Sequence, residues 1–367
     1  MTAILDAPAA TERRDAFMDK MLTDVTGMWN VYAIYLGGQL GIYTRLADGG
    51  AATSVQLATD LGLSERYVRE WLEHQTVSGV LEVNNPDAGP TERVFSLPDG
   101  HVEVLTDRES LNFLAPLAQI AVGVAAPIQG VLRSFRDGGG VPYAEYPADM
   151  RTGQADMNRN MFLYQLGTEY LPAIPDIHAR LTANPPARIA DIGCGVGWSS
   201  IGMARAYPNV QVDGFDLDDA SVADAQPHVQ AAGLSDRVEI RVRDAGDPAL
   251  AGQYDLVTAF ECIHDMSDPV AVLSTMRRMA GDRGAVLVMD ERAGDAFTAT
   301  GNDVEQILYG FSFLHCLPVG MADHPSVGTG TVMRPDTLRG YAIAAGFADI
   351  EILPIDNFFF NFYRLLP

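Results

Sequence analysis

In the segment ARIADIGCGVGWSS an apolar run ends on Gly193, Gly195 and Gly197, and an apolar helical pattern follows at once. Glycines allow a tight turn and let a ligand lie against bare backbone at a helix N-terminus, where the N–H groups favour an anion. In a dinucleotide site that anion is a pyrophosphate, and a third glycine follows the second by three residues. Here the spacing is GxGxG, with Trp198 in the place of that third glycine and Asp191 two residues before the first. A carboxylate at Asp191 favours an ammonium group beside a carboxylate, so an amino-acid moiety fits the loop better than a pyrophosphate. Asp216 lies 23 residues after Gly193, at the end of the next apolar run. There it can accept hydrogen bonds from both hydroxyls of a ribose. Asp244 with Ala245, after the third run, would then meet an adenine.

These residues need a sheet to hold them. After NPPARI the chain alternates strand-like runs, RIADIG, VQVDGFD, RVEIRV, YDLVTAF and AVLVMD, with helical patterns, which predicts a parallel sheet with crossover helices. The last part, ADIEILPIDNFFFNFYRL, predicts two strands joined by a tight hairpin at Asp356-Asn357, adding an antiparallel strand. From about Thr11, Met21, Val25, Met28, Trp29, Tyr32 and Leu36 recur at helical spacing and predict an amphipathic helix with a broad buried face. Thr53 and Ser54 open a short helix ending at Leu61-Gly62, and Ser64 is placed to cap the next, RYVREWLEHQ. The runs GVLEV and RVFSL, separated by turn formers, complete a winged-helix pattern. The expected organisation is a winged-helix domain over residues 1–104, a helical linker and connecting cap over 105–184, and an α/β domain carrying the glycine loop over 185–367.

DIGCGVG, GFDLD, RDA and YDLVTAFE, in that order at successive strand ends, resemble the motifs of class I S-adenosylmethionine-dependent methyltransferases. The resemblance extends over the chain, because small-molecule methyltransferases of this kind commonly carry an N-terminal winged-helix domain for dimerisation and substrate enclosure. Phrases such as EYPADMR, ECIHDMSDP and YGFSFLHCLP are similar to a poorly characterised bacterial group. It implies a Rossmann-like, seven-stranded α/β sheet with an antiparallel C-terminal hairpin strand. It also implies S-adenosylmethionine as cofactor and S-adenosylhomocysteine as product, held by Asp191, Gly193, Gly195, Gly197, Asp216, Leu217, Asp244, Ala245 and Glu261.

Cys262-Ile263-His264-Asp265-Met266-Ser267-Asp268 resembles the His-Asp-Trp-Ser-Asp segment of plant and antibiotic-pathway O-methyltransferases, where the histidine is the general base. That role maps onto His264. A hydroxyl is a poor nucleophile until its proton is taken, and a neutral imidazole of pKa near 6.5 can take it. The family pattern places an acid beside that histidine, supplied here by Asp290 or Glu291, with Asp290 preferred. Met266 stands where the pattern has Trp, which changes the wall facing an aromatic acceptor. Tyr309, Ser312 and His315 fall in the segment that covers the acceptor pocket in similar enzymes, and Tyr146, with Tyr143 and NRNMFLY, is a candidate to enclose sulfonium and substrate. His74, His101, His178, His228 and His324 read as solvated or structural.

The expected activity is methyl transfer to a small, aromatic or apolar acceptor, at a hydroxyl oxygen with His264 as base. Carboxylate, carbon, nitrogen or sulfur acceptors, which need no such base, stay open. So do a regulator that senses S-adenosylmethionine and binds DNA through the winged helix, and a nicotinamide-dependent oxidoreductase, against which the GxGxG spacing argues. Glu261, Asp265, Asp290 and Glu291 are a weaker candidate for a divalent metal; the expectation is no metal.

With 25 Lys and Arg against 48 Asp and Glu, the net charge of −23 repels phosphate backbones and anionic lipid. Neither nucleic acid nor membrane is an expected partner. Composition, 47% hydrophobic and 20% charged, is that of a globular protein. The N-terminal MTAILDAPAATERRDAF lacks the run of a secretory signal, and Cys194, Cys262 and Cys316 show neither disulfide nor metal spacing, so the cytoplasm is expected. Leu111 to Leu132 approaches membrane-span length but carries polar residues and prolines, and reads as a buried helical layer. Together with the first helix it offers more apolar face than one chain covers, which predicts a homodimer.

Overall fold

The computed structural model describes residues 7–250, 253–299 and 301–367. The first six residues, on which part of the reading of the N-terminal segment falls, lie outside them. The chain divides into two compact units, Met1–Val122 and Gly123–Pro367.

The first unit opens with a helix over Ala7–Gln39. Its apolar row is not buried as the spacing predicts: Met21 and Trp29 are each 52% exposed, and Val25, Met28 and Leu36 are exposed too. The reason is length. A helix of 33 residues runs about 50 Å. The small core around Tyr43, Leu57, Leu72 and Phe95 meets it near its C-terminal end, through Ile34 and through Trp71, whose Nε1–H donates to the Ala33 carbonyl at 2.8 Å. Helices Ser54–Leu61 and Glu65–Val77 form the helix-turn-helix. Thr53 caps the first in a reciprocal box with Gln56. Ser64 occupies the N-cap of the second without a side-chain hydrogen bond, so the expected cap is positional only. Strands β1 (Ala52–Thr53), β2 (Glu82–Val83) and β3 (Val94–Ser96) pair antiparallel in the order β1-β3-β2 and make the wing. On the second helix Arg66 pairs with Glu70 and Arg69 with Glu65, which removes its basic character.

The second unit is built on β4 (Arg188–Ile192), β5 (Gln211–Asp216), β6 (Val238–Val242), β7 (Leu256–Phe260), β8 (Ala285–Glu291), β9 (Asp349–Ile352) and β10 (Phe360–Leu366), in the order β6-β5-β4-β7-β8-β10-β9. The first five are parallel, and β10 lies antiparallel between β8 and β9. This is the seven-stranded α/β methyltransferase sheet that the sequence predicts. All five residues of β7 are buried, as a strand covered on both faces requires. The connection from β9 to β10 is longer than the expected tight hairpin, running over residues 353–359. Asn357 does turn the chain, its Oδ1 accepting the N–H groups of Phe359 and Phe360. Leu353 and Phe359 pack on the core, however, and draw the connection out.

Chain order reverses at β4, whose neighbours are β5 and β7, and a crevice opens at the carboxyl end of such a strand. One wall comes from helix Ala148–Asn160 and its wider, π-type continuation Met161–Tyr170. That continuation packs hard on helix Trp198–Ala206: a Cβ on Gly202 would lie 2.1 Å from the Phe162 carbonyl oxygen, and one on Gly167 2.1 Å from Ala206 Cβ. The run Leu111 to Leu132 is broken near Pro127 into helices Ala115–Ala125 and Ile128–Asp137. Among the described residues no single helix is long and apolar enough to cross a membrane.

Candidate active site

A cavity of about 710 Å³ occupies the crevice. Gly193, Gly195 and Gly197 turn the chain from β4 into the helix at φ values of +65°, +51° and +86°, a region that disfavours other residues. The turn also needs their lack of a side chain for contact: a Cβ on Gly193 would fall 2.7 Å from Cys262 Sγ, and one on Gly197 2.5 Å from Ile240 Cδ1. Gly195 differs, because a Cβ there would meet no atom within 4 Å. Its backbone lies open on the cavity, as a cradle for a ligand does.

The carboxyl ends of the strands furnish the walls in sheet order. From β6 come Asp244 and Ala245, from β5 Asp216 and Leu217, from β4 Gly193 and Gly195, and from beyond β7 Glu261, Cys262, Asp265 and Met266. Asp216 Oδ2 accepts the Gly195 N–H at 2.7 Å and its Oδ1 the Asp218 N–H at 2.9 Å, so the carboxylate is aimed before any ligand arrives. Burial pushes its pKa up. Glu261 Oε2 accepts the Asn158 amide at 2.9 Å, while its buried Oε1 has no hydrogen-bond partner. Burial pushes the Glu261 carboxyl up to about 7.

Asp191 stands elsewhere. It is 1% exposed and outside the cavity lining. Its Oδ2 accepts from the hydroxyls of Ser199 at 2.6 Å and Ser200 at 2.7 Å, and its Oδ1 from Thr258 at 2.7 Å. The ammonium contact expected from the spacing is therefore not what this carboxylate is arranged for; it ties the helix start to β4 and β7. Gly197 is likewise outside the lining and serves the turn.

Behind the cavity wall, after β7, lies His264, fully buried. Its Nδ1 is hydrogen-bonded to Asp290 Oδ1 at 2.7 Å and within 3.0 Å of Glu291 Oε2, both at the end of β8. The structure brings both candidate acids to the ring and gives the hydrogen bond to Asp290. Nε2 lies 2.9 Å from Asp265 Oδ1, and Asp265 is the member of this group that reaches the cavity. Burial would push the His264 pKa down, but Asp265, Asp290 and Glu291 outweigh it and hold the ring well above its ordinary value. Burial would raise Asp265, and the His264 charge pulls it below the usual carboxylate range instead. Glu291, buried beside Asp290, is pushed well up. The sequence reading sees Asp265 only as a possible metal ligand; its position directly after the histidine is the signal for a closer role. His264 with Asp290 and Glu291, and His264 with Asp265 and Cys316, also gather ligand-type atoms within 4.8 Å, a spacing a cation could use.

Of the acceptor-side candidates, Met266 lines the cavity. His315 and Tyr146 pack together edge to face, ring centroids 4.5 Å apart, with Tyr143 at 5.7 Å from His315 on the cavity wall. The Tyr146 hydroxyl donates to the Leu314 carbonyl at 2.7 Å. His315 Nε2 is buried without a partner, and burial lowers the ring's pKa. Ser312 is buried in the same π-type turn, Ser312–Cys316, outside the lining. Tyr309 is not brought to this group: it is 39% exposed and takes a hydrogen bond from Arg334 at 3.2 Å. Asn158, named in the sequence only within a stretch, joins Arg151 and Gln154 of the same helix as the cap's polar contribution to the wall.

Residues 190–286 match the family model described as "Methyltransferase domain", and residues 31–107 the "Rv2258c-like winged HTH domain". The chain carries the class I S-adenosylmethionine-dependent methyltransferase domain. The chain is 28% identical over 166 residues to a ubiquinone biosynthesis O-methyltransferase of Ralstonia nicotianae, a match that covers 45% of this chain and 64% of that protein. The chain spans less than two thirds of the length of the first curated relatives it matches. Among solved structures, the mitomycin 7-O-methyltransferase MmcR superposes with a TM-score of 0.71 at 18% identity, covering 97% of this chain and 100% of that one. Human N-acetylserotonin methyltransferase, in complex with S-adenosylmethionine, gives 0.71 at 15% identity, covering 100% and 99%. At these identities the likeness is one of fold.

Proposed function

We propose that this protein transfers a methyl group from S-adenosylmethionine to a hydroxyl oxygen of a small, aromatic or apolar acceptor, with His264 as general base. The observation that carries the reading is the His264 ring, hydrogen-bonded at Nδ1 to Asp290 with Glu291 beside it, and turned at Nε2 toward Asp265 of the cavity wall. The open backbone at Gly195 and the aimed carboxylate of Asp216 fit the cofactor's amino-acid and ribose parts. Gly193, Gly195, Asp216, Leu217, Asp244, Ala245 and Glu261 would hold it. When bound, S-adenosylmethionine supplies an electrophilic methyl group.

The chain's own work is to orient and deprotonate. Asp290 fixes a proton on Nδ1, so Nε2 is the nitrogen that takes the acceptor's proton. Asp265 gives way at Nε2 or shares the acceptor hydroxyl with it. The surrounding carboxylates stabilise the imidazolium that results, and such a base contributes about 10² to 10⁴ in rate. Met266 and Tyr143 bound the acceptor side, with the His315–Tyr146 pair packed behind Tyr143 outside the cavity lining, and the sheltered geometry supplies alignment.

In this reading residues 1–104 serve dimerisation, 105–184 cap the substrate and 185–367 carry the chemistry, in a cytoplasmic homodimer. The test is a panel of small phenols and other acceptors incubated with S-adenosylmethionine, with S-adenosylhomocysteine and methylated product read by mass spectrometry. A His264→Ala variant that kept full turnover would move the acceptor atom to carboxylate, carbon, nitrogen or sulfur. Failure of the wild type to bind S-adenosylhomocysteine would overturn the reading altogether.

A further inference from the structure

We propose that Glu261, held by Asn158, receives the α-ammonium of the cofactor's amino-acid moiety, the contact that the glycine-loop spacing predicts for Asp191. This rests on the cofactor reading above. Asp191 is not aimed at the cavity, since both its oxygens accept from hydroxyls under the loop and it lies outside the lining. Glu261 is part of that lining. One oxygen is steadied by Asn158, and the other is buried with nothing to accept from. An unpartnered carboxylate oxygen in a cavity wall calls for a donor carrying positive charge.

Position agrees with charge. Strand β7 is hydrogen-bonded to β4, and Cys262, next to Glu261, lies against Gly193 so closely that a Cβ there would be 2.7 Å from its sulfur. Glu261 therefore flanks the glycine loop on the side away from Asp216. A ligand with its ribose at β5 and its backbone-bound segment at β4 presents its amino-acid end at Glu261. The backbone supports a dedicated role: at φ +55°, Glu261 is the one non-glycine residue in the left-handed region among the described residues. Such a conformation is retained where surrounding structure or function demands it. Burial, which favours the uncharged carboxyl in the free protein, is opposed by an ammonium, which favours the charged one.

The test is calorimetric titration with two probes. S-adenosylhomocysteine carries the amino-acid moiety; 5′-methylthioadenosine shares its nucleoside and sulfur but ends in a methyl group. Glu261→Gln should weaken S-adenosylhomocysteine about 10-fold or more, as expected for a charge-assisted hydrogen bond, and leave 5′-methylthioadenosine within twofold. Asn158→Ala should shift the same ratio less, in the same direction. Asp191→Asn should leave the ratio unchanged. Equal weakening of both probes by Glu261→Gln, no weakening of either, or a collapsed ratio in Asp191→Asn alone would overturn the assignment. Wild type that bound neither probe would instead remove the cofactor reading on which it rests.

Discussion

His264 Nδ1 and Asp290 Oδ1, 26 residues apart in sequence, lie 2.7 Å from each other at the ends of two adjacent parallel strands. The contact decides which ring nitrogen is available. Removing the ring removes the group assigned to take the acceptor's proton. His264→Ala is expected to lower kcat by about 10² to 10⁴ on a hydroxyl acceptor, with S-adenosylhomocysteine affinity within a few-fold of wild type. Parallel calorimetry and single-turnover kinetics would check both halves.

The same contact sets the pH dependence. In the proposed mechanism the base is the neutral ring, and the neighbouring carboxylates raise its pKa well above the ordinary value. Activity should therefore rise with pH along a limb lying above about 6.5, the unperturbed imidazole value. Asp290→Asn removes one of the charges that raise it, so the limb should move to lower pH while the plateau falls. A pH profile of kcat/KM for both proteins reads this, and a wild-type limb at or below the ordinary value would contradict it.

Cofactor orientation is tested at Asp216, whose oxygens already accept from Gly195 and Asp218 at 2.7 and 2.9 Å. Asp216→Ala removes the partner expected for the ribose hydroxyls. S-adenosylhomocysteine binding should weaken by about 1 to 3 kcal/mol, the range for a hydrogen-bonding group left unsatisfied. An unchanged affinity would place the ribose elsewhere.

The parallel sheet, its antiparallel C-terminal addition and the glycine turn were legible because buried parallel strands are written as short continuous apolar runs, and turns need glycine where φ is positive. What spacing cannot convey is which way a side chain faces at the end of a strand. Asp191, next to last in β4, and Asp216, last in β5, both stand near the ends of parallel strands, yet Asp191 points at three hydroxyls beneath the loop and Asp216 at the cavity. The period-two alternation that separates them depends on where each strand begins and ends. The partners of His264 were legible as a pair, but Asp265 at Nε2 depends on the short turn Ile263–Asp265 after β7. Tyr309 sits one helical turn before Ser312 in sequence, but its helix gives way to a π-type turn that re-aims the following residues.

Close packing of the cap gives a stability prediction. A Cβ on Gly202 would lie 2.1 Å from the backbone oxygen of Phe162, and backbone cannot swing aside as a flexible side chain could. Gly202→Ala should cost about 1 to 3 kcal/mol through overpacking. Thermal unfolding should fall by about 2–4 °C for each kcal/mol lost. Gly310→Ala, where a Cβ would meet nothing within 4 Å, is the control and should leave Tm unchanged or slightly raised.

The exposed row on the first helix leads to the last prediction. Met18, Met21, Leu22, Val25, Met28 and Trp29 repeat at three and four residues, and every one is at least 39% exposed. A contiguous apolar stripe of this kind marks an interface, and a helix that outruns its own core has turns to give to a second chain. Light scattering should return about twice the 39.6 kDa chain mass. Met21→Glu with Val25→Glu places charges in the stripe and should shift the protein toward the monomer. Titration with S-adenosylhomocysteine should be preserved in that variant, because every cavity residue lies beyond Val122 in the second unit. A wild type that ran as a monomer at micromolar concentration would remove the dimer from the proposal and leave the methyltransferase reading untouched.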